Sequence, residues 1–170
     1  MIVIVMGVSG SGKTTIGKLL ADRMNCRFSD ADDFHPAANV EKMRAGIPLT
    51  DDDRWPWLKA LRHAIEDWQA AGKSRVIACS ALKDAYRDVL SPNDDVSFIY
   101  LKGDANTIAS RLKARKGHYM NPNLLTSQFA TLEEPDNAIV VDIAPPPTTI
   151  VEDIMARLSA RVPSTEKRSS

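Results

Sequence analysis

Met1-Ile-Val-Ile-Val-Met-Gly-Val-Ser-Gly-Ser-Gly-Lys-Thr14 opens the chain and decides how the rest folds. The apolar run Ile2 to Met6 has the length of a strand buried on both faces. It breaks at Gly7-Val8-Ser9-Gly10-Ser11-Gly12-Lys13-Thr14, which satisfies every fixed position of G-x-x-x-x-G-K-[ST]. Beyond it, Ile16, Leu19, Leu20 and Met24 fall on one helical face. Strand, glycine loop and helix in that order make the pattern a P-loop. Glycines let successive N–H groups turn inward around phosphate oxygens, and the following helix aims its positive end at the same anion. Gly7, Val8, Ser9, Gly10, Ser11, Gly12, Lys13 and Thr14 are therefore the expected nucleotide contacts. Lys13 is placed to reach the β- and γ-phosphates, and the Thr14 hydroxyl to ligate Mg²⁺.

Bulk properties narrow the rest. With 170 residues, the chain is expected to form one domain over 1–162, followed by a disordered polar tail at 163–170. A formal net charge of zero argues against a basic nucleic-acid-binding face. Cys26 and Cys79 have neither disulfide nor metal-ligand spacing and read as free thiols in a reducing compartment. No apolar stretch approaches the roughly 20 residues of a membrane span, so the expectation is a cytoplasmic protein with no membrane partner.

Strand-like and helix-like segments alternate along the chain. The predicted fold is α/β, a P-loop NTPase-type three-layer sandwich with a central, mainly parallel sheet, flanking helices and a mobile helical lid. Strands are expected at Arg27–Ser29, Arg75–Cys79, Val96–Leu101 and Ala138–Ile143. The first of these runs into the acidic tip Asp30-Ala-Asp-Asp33. In a parallel sheet such a tip faces the P-loop. A strand ending in Asp or Glu in the usual metal-supporting position is absent, which leaves Asp30 as the candidate metal partner. A short helix is predicted over Ala37–Arg44. A longer one follows, with Asp53 as its N-cap, Pro56 in its first turn, and Trp57, Leu58, Leu61, Ile65 and Trp68 at core spacing. Ser80 suits the N-cap of the next helix, on which Lys83 and Arg87 share a face. Arg111 and Arg115 lie four apart before the helix stop at Gly117–Pro122, which suggests a lid over about 111–130 carrying arginines to phosphates. After Pro145-Pro-Pro147, Thr149 and Glu152 have capping-box spacing at the start of the last helix.

No Asn-Lys-x-Asp segment for guanine readout is present. The lid arginines favour phosphoryl transfer to a small acceptor, and the acidic tip favours a hydroxyl acceptor. Residue pattern alone reaches "small-metabolite kinase". A catalytically silent nucleotide-binding module remains as the alternative from another class.

A resemblance carries the reading further. The run Asp30-Ala-Asp-Asp-Phe-His-Pro36, with Asn39, Lys42-Met43, Gly46, Pro48-Leu49, Asp51-Asp-Asp-Arg54 and Pro56-Trp-Leu58, resembles the gluconokinase family. So do Cys79-Ser-Ala-Leu-Lys83, Tyr86-Arg87, Tyr100-Leu-Lys-Gly103, Ser110–His118, Gln128-Phe129 and Leu132-Glu-Glu-Pro135. The family is similar in fold to shikimate and nucleoside monophosphate kinases. The resemblance implies Mg²⁺- and ATP-dependent phosphorylation of D-gluconate at its terminal hydroxyl, and a homodimer. Within it, Asp32 would orient or deprotonate that hydroxyl, and His35 would hydrogen-bond sugar hydroxyls. Arg54, Lys83 and Arg87 would meet the carboxylate, Asp30 and Thr14 would support the metal, and Arg111 and Arg115 would stabilise transition-state charge. The enzyme alternative is a kinase of another aldonate or of shikimate.

Overall fold

β1 (Ile2–Met6) is buried at every position because its two faces belong to two different cores. The computed structural model describes residues 1–114 and 122–161. Val3 and Val5 pack with Ile16 and Leu20 of α1 (Lys13–Met24) and with Ile150, Ile154 and Leu158 of α7 (Pro147–Arg161). Ile2, Ile4 and Met6 pack on the opposite side with Leu58, Leu61 and Ile65 of α3 (Asp51–Ala70) and Leu90 of α4 (Asp84–Leu90). Period-two alternation thus sends neighbouring residues of an all-apolar strand into separate layers.

Five parallel strands form one sheet in the order β2–β3–β1–β4–β5. They are β2 (Arg27–Asp30), β3 (Arg75–Ala78), β4 (Val96–Lys102) and β5 (Ile139–Asp142) around β1. The strand order reverses beside β1, which opens a crevice at the carboxyl ends of the strands. α2 (Ala37–Arg44), α5 (Ala105–Ala114) and α6 (Pro122–Thr131) complete the helices. At the β5 edge, Arg157 Nη1 donates to the Val140 carbonyl at 2.7 Å and Arg161 Nη1 to the Asn137 carbonyl at 3.3 Å. No described helix is long and apolar enough to cross a membrane.

The α/β class and the α2 limits agree with expectation, while three helix starts differ. Thr50, not Asp53, caps α3: its Oγ1 accepts the Asp53 N–H at 3.1 Å, and Asp53 Oδ2 accepts the Thr50 N–H at 2.9 Å. This reciprocal box starts the helix three residues early, so Pro56 sits in the second turn, where its missing N–H leaves one helical carbonyl unserved. α4 starts at Asp84 with Lys83 at its cap position, so Ser80 caps nothing; its carbonyl instead accepts the Gly7 N–H at 3.3 Å. α7 starts on Pro147, whose fixed φ suits a first helical position, and Glu152 pairs with Arg23 of α1 rather than closing a box with Thr149. Arg115, the centre of the expected lid and the tail at 163–170 lie outside the described residues.

Asp53 also ties α2 to α3. Lys42 Nζ donates to both its carboxylate oxygens at 2.9 and 2.8 Å, and buried Asn39 donates Nδ2 to its carbonyl at 2.8 Å. Lys42 first, and the Thr50 N–H second, lower its carboxyl from 3.8 to about 2. A depressed folded value means that the stabilisation is complete above the unfolded pKa and lost as pH falls through the folded one. The urea midpoint of wild type should therefore exceed that of Asp53→Asn at pH 5, and the gap should close between pH 3.8 and about 2.

Candidate active site

The P-loop leaves β1 at the crevice. Gly10 (φ 82°) and Gly12 (φ 100°) occupy left-handed backbone that L side chains rarely adopt. A Cβ on Gly10 would also lie 2.7 Å from the Leu112 side chain of α5, so the loop is roofed as well as curled. Gly12 caps α1 without any side chain, which leaves the first-turn N–H groups to the loop. Lys13 Nζ donates to the Gly7 and Val8 carbonyls, each at 3.0 Å. The Ser11 Oγ is buried with no hydrogen-bond partner among the described residues, a polar atom facing its own loop. Thr14 is exposed in the first turn of α1.

One contact crosses from α6. Gln128 Oε1 accepts the Ser9 N–H at 2.7 Å, and Gln128 Nε2 donates to Ser9 Oγ at 3.0 Å. The amide satisfies both polar groups of the third loop residue and fixes that side of the loop.

Next to the loop, β2 delivers the acidic tip. Asp30 Oδ1 accepts the Asp32 N–H at 2.9 Å and so caps the short 3₁₀ turn Ala31–Phe34. Asp32 projects from that turn with its side chain 77% exposed. Desolvation by the surrounding protein and, second, the Asp30 charge raise its carboxyl above the ordinary value, while His35 and Lys13 pull against them. His35 is held from behind. Its ring stacks on Trp57 at 4.2 Å, and the Trp57 indole N–H donates to the Ala31 carbonyl at 2.7 Å. Asn39 Nδ2 must donate, since it also serves the Asp53 carbonyl, so His35 Nδ1, 3.2 Å away, accepts. The ring proton then lies on Nε2, 3.7 Å from Asp32 Oδ1. Burial, chiefly, lowers the His35 pKa, which favours this neutral form. With only 3% of its side chain exposed, His35 faces Asp32 rather than open space for a sugar.

A cationic cluster gathers around Tyr86 and Asp51. Arg54 and Lys83 approach the Tyr86 ring, at 5.7 and 5.5 Å from its centroid. Both also converge on Asp51, as does the Tyr86 hydroxyl. Arg87 does not join them. It is 6% exposed, donates Nη1 to the Ala81 carbonyl at 2.6 Å and Nη2 to the Glu133 carbonyl at 2.7 Å, and pairs with Asp84. Its expected place beside a substrate carboxylate is replaced by a buried clamp. The clamp holds Ala81 at φ 46°, an unfavourable angle for a residue with a Cβ, and so fixes the turn that presents Lys83.

On the far side of the loop, Arg111 donates Nη2 to the Ile143 carbonyl at 2.6 Å. It lines a cleft of about 320 Å³ with Gly10, Ser11, Gly12, Thr15 and Pro145. Arg111 thus shares one cleft with the glycines of the loop. Sequence reading missed Gln128, Asn39 and Trp57 as supports. The Gln128-Phe129 and Asn39 matches were visible in the sequence, but their partners were not.

The fold and this arrangement define a P-loop kinase of the small-molecule type. The family model described as shikimate kinase matches residues 9–159. Thermoresistant gluconokinase of Escherichia coli (strain K12) is 50% identical over 150 residues, covering 85% of this chain and 86% of that protein. A gluconokinase structure from Sinorhizobium meliloti 1021 superposes with a TM-score of 0.82 at 42% identity, covering 93% of this chain and 91% of that one. An unliganded sugar kinase from Janibacter sp. HTCC2649 gives 0.85 at 48% identity, covering 93% and 94%. The chain belongs to the gluconokinase family.

Removing the Gln128 amide leaves two loop groups unpaired, at about 0.5–1.5 kcal/mol per hydrogen bond. Gln128→Ala should lower the melting temperature of the nucleotide-free protein by about 2–4 °C per kcal/mol lost and weaken binding of a non-hydrolysable ATP analogue roughly tenfold by titration calorimetry.

Proposed function

We propose that the chain transfers the terminal phosphoryl group of ATP to the terminal hydroxyl of D-gluconate, giving 6-phospho-D-gluconate. The observation that carries this reading is that Asp32 lies within electrostatic reach of Lys13 and beside His35, which in turn feels Arg54 of the Arg54–Lys83 cluster. A hydroxyl acceptor needs the first feature and a carboxylate-bearing acceptor needs the second.

The residues fit a Mg²⁺–nucleotide complex. The glycine cradle, the unpartnered Ser11 Oγ and the first turn of α1 suit phosphate, and the cleft beside Arg111 suits the rest of the nucleotide. No cluster of three or more His, Cys, Asp or Glu able to hold a metal occurs among the described residues. This suits Mg²⁺, which keeps waters and relies on phosphates and one or two protein oxygens. Thr14 and Asp30 would supply those oxygens. When bound, the complex supplies the phosphoryl group and neutralises charge on its oxygens.

The protein's own groups do the rest. Lys13 leaves the Gly7 and Val8 carbonyls for the phosphates and stabilises charge developing there. Asp32 takes the proton of the attacking hydroxyl, and its raised pKa makes it a stronger base than an ordinary carboxylate. The Nε2–H of His35 faces Asp32 and orients it. Arg54 and Lys83 pair with the acceptor carboxylate.

The deciding experiment is a coupled assay of ADP release with Mg²⁺-ATP and a panel of D-gluconate, other aldonates, shikimate and nucleoside monophosphates. Stimulation by D-gluconate above all others is expected. Preference for another acceptor would overturn the substrate, and acceptor-independent or absent turnover would overturn the kinase reading. Lys13→Ala should lower kcat/KM by about 10²–10³. A base works deprotonated, so activity should fall as pH drops through the Asp32 pKa. That limb should lie above the ordinary carboxylate value of 3.8, and Asp32→Asn should reduce kcat by about 10²–10⁴.

A further inference from the structure

The cations assigned to the acceptor carboxylate already hold a carboxylate. Asp51, at the first position of α3, accepts from the Tyr86 hydroxyl at 2.5 Å and lies 3.3 Å from Lys83 Nζ and 3.6 Å from Arg54 Nη1. Arg54 Nη1 is itself 3.4 Å from the Tyr86 oxygen, so three donors surround one acidic group. The two ion pairs are longer than the 2.7–2.9 Å of a tight charge-assisted bond. All three charged side chains are one-third to one-half exposed to the crevice: Arg54 33%, Lys83 34% and Asp51 48%. Contrast the buried Arg87 clamp and the tight Lys42–Asp53 pair nearby, whose partners are fully engaged. The Tyr86 hydroxyl holds Asp51 closely, but the ion pairs to Lys83 and Arg54 are loose, open and chemically matched to the head of an aldonate.

We propose that Asp51 is a resident stand-in for the acceptor carboxylate, which the incoming acid displaces from Lys83 and Arg54. The proposal rests on the gluconate reading above. It makes Asp51 a determinant of acceptor affinity and selectivity. With Asp51 in place, Arg54 and Lys83 carry a net local charge of one, enough to attract a monocarboxylate. They are also partly neutralised against small anions that lack the polyol chain. Only a ligand that adds hydroxyl contacts to its carboxylate displaces Asp51 readily. Binding energy is thereby diverted from the anion itself to the whole acceptor.

The test combines kinetics with a crystal structure of the D-gluconate complex. Asp51→Asn keeps the shape and a hydrogen-bond acceptor while removing the competing charge. It should lower KM for D-gluconate by about three- to fivefold, the range an exposed ion pair allows, with kcat falling less than twofold. Competitive inhibition by acetate and sulfate should tighten by a similar factor. In the complex, the substrate carboxylate should occupy the position between Lys83 and Arg54, with Asp51 swung out of contact with Lys83. A raised KM in Asp51→Asn, or a complex with Asp51 still on Lys83, would overturn the stand-in and make Asp51 a support for the cations. Arg54→Met and Lys83→Met separate this from a wrong acceptor assignment. If both leave KM for D-gluconate unchanged while turnover persists, the carboxylate binds elsewhere and the acceptor reading falls with its corollary.

Discussion

Two-sided burial of β1 is the constraint on which the site depends. A strand whose alternate side chains enter separate cores can neither slip by one residue nor rotate without exposing both. The loop that follows therefore begins at a fixed height above the sheet. β2 and β3 lie parallel to it in register, Val3 against Val76 and Phe28 against Val76 in turn. Their carboxyl ends bring Asp30 and the Ser80–Lys83 turn to the same edge. The chemistry is a consequence of strand order before it is a consequence of any one side chain.

Three aspartates have three different fates, set by neighbours rather than by residue type. Asp32 is partly desolvated beside another carboxylate and is pushed toward basicity. Asp51 receives a phenol and a lysine, and its carboxyl is held down, first by the Tyr86 hydroxyl. Asp53 is committed to structure, with a lysine and a backbone N–H on one carboxylate. Within the run Asp51-Asp52-Asp53 the first and third residues thus have separate tasks, because positions two apart on a helix point about 200° apart.

What the sequence made legible was local. The glycine loop, the α2 limits, the core face of α3 and the placing of the acidic tip all follow from spacing within a few residues. The helix starts were misplaced where a rival local signal won: Thr50 over Asp53, and Pro147 over Thr149. What stayed hidden were contacts between distant segments. Ser9 and Gln128 lie 119 positions apart, and no periodicity relates them. Arg87 carried the right charge and helical face for a substrate contact. Its clamp on Ala81 and Glu133 is invisible until the loop after α6 is folded against the turn after β3. His35 read as a ligand group because its stacking partner, Trp57, arrives from a different helix.

The arginines of α7 at the β5 edge bear on how the molecule behaves in a crowd. An outer strand with a half-exposed apolar residue, Val140, is a template on which a second chain could add its own strand. Arg157 and Arg161 take up carbonyls along that border and surround them with positive charge. A strand approaching this edge meets a bulky cationic side chain already on the Val140 carbonyl. The helix that completes one core thereby also covers part of the outer border of the sheet.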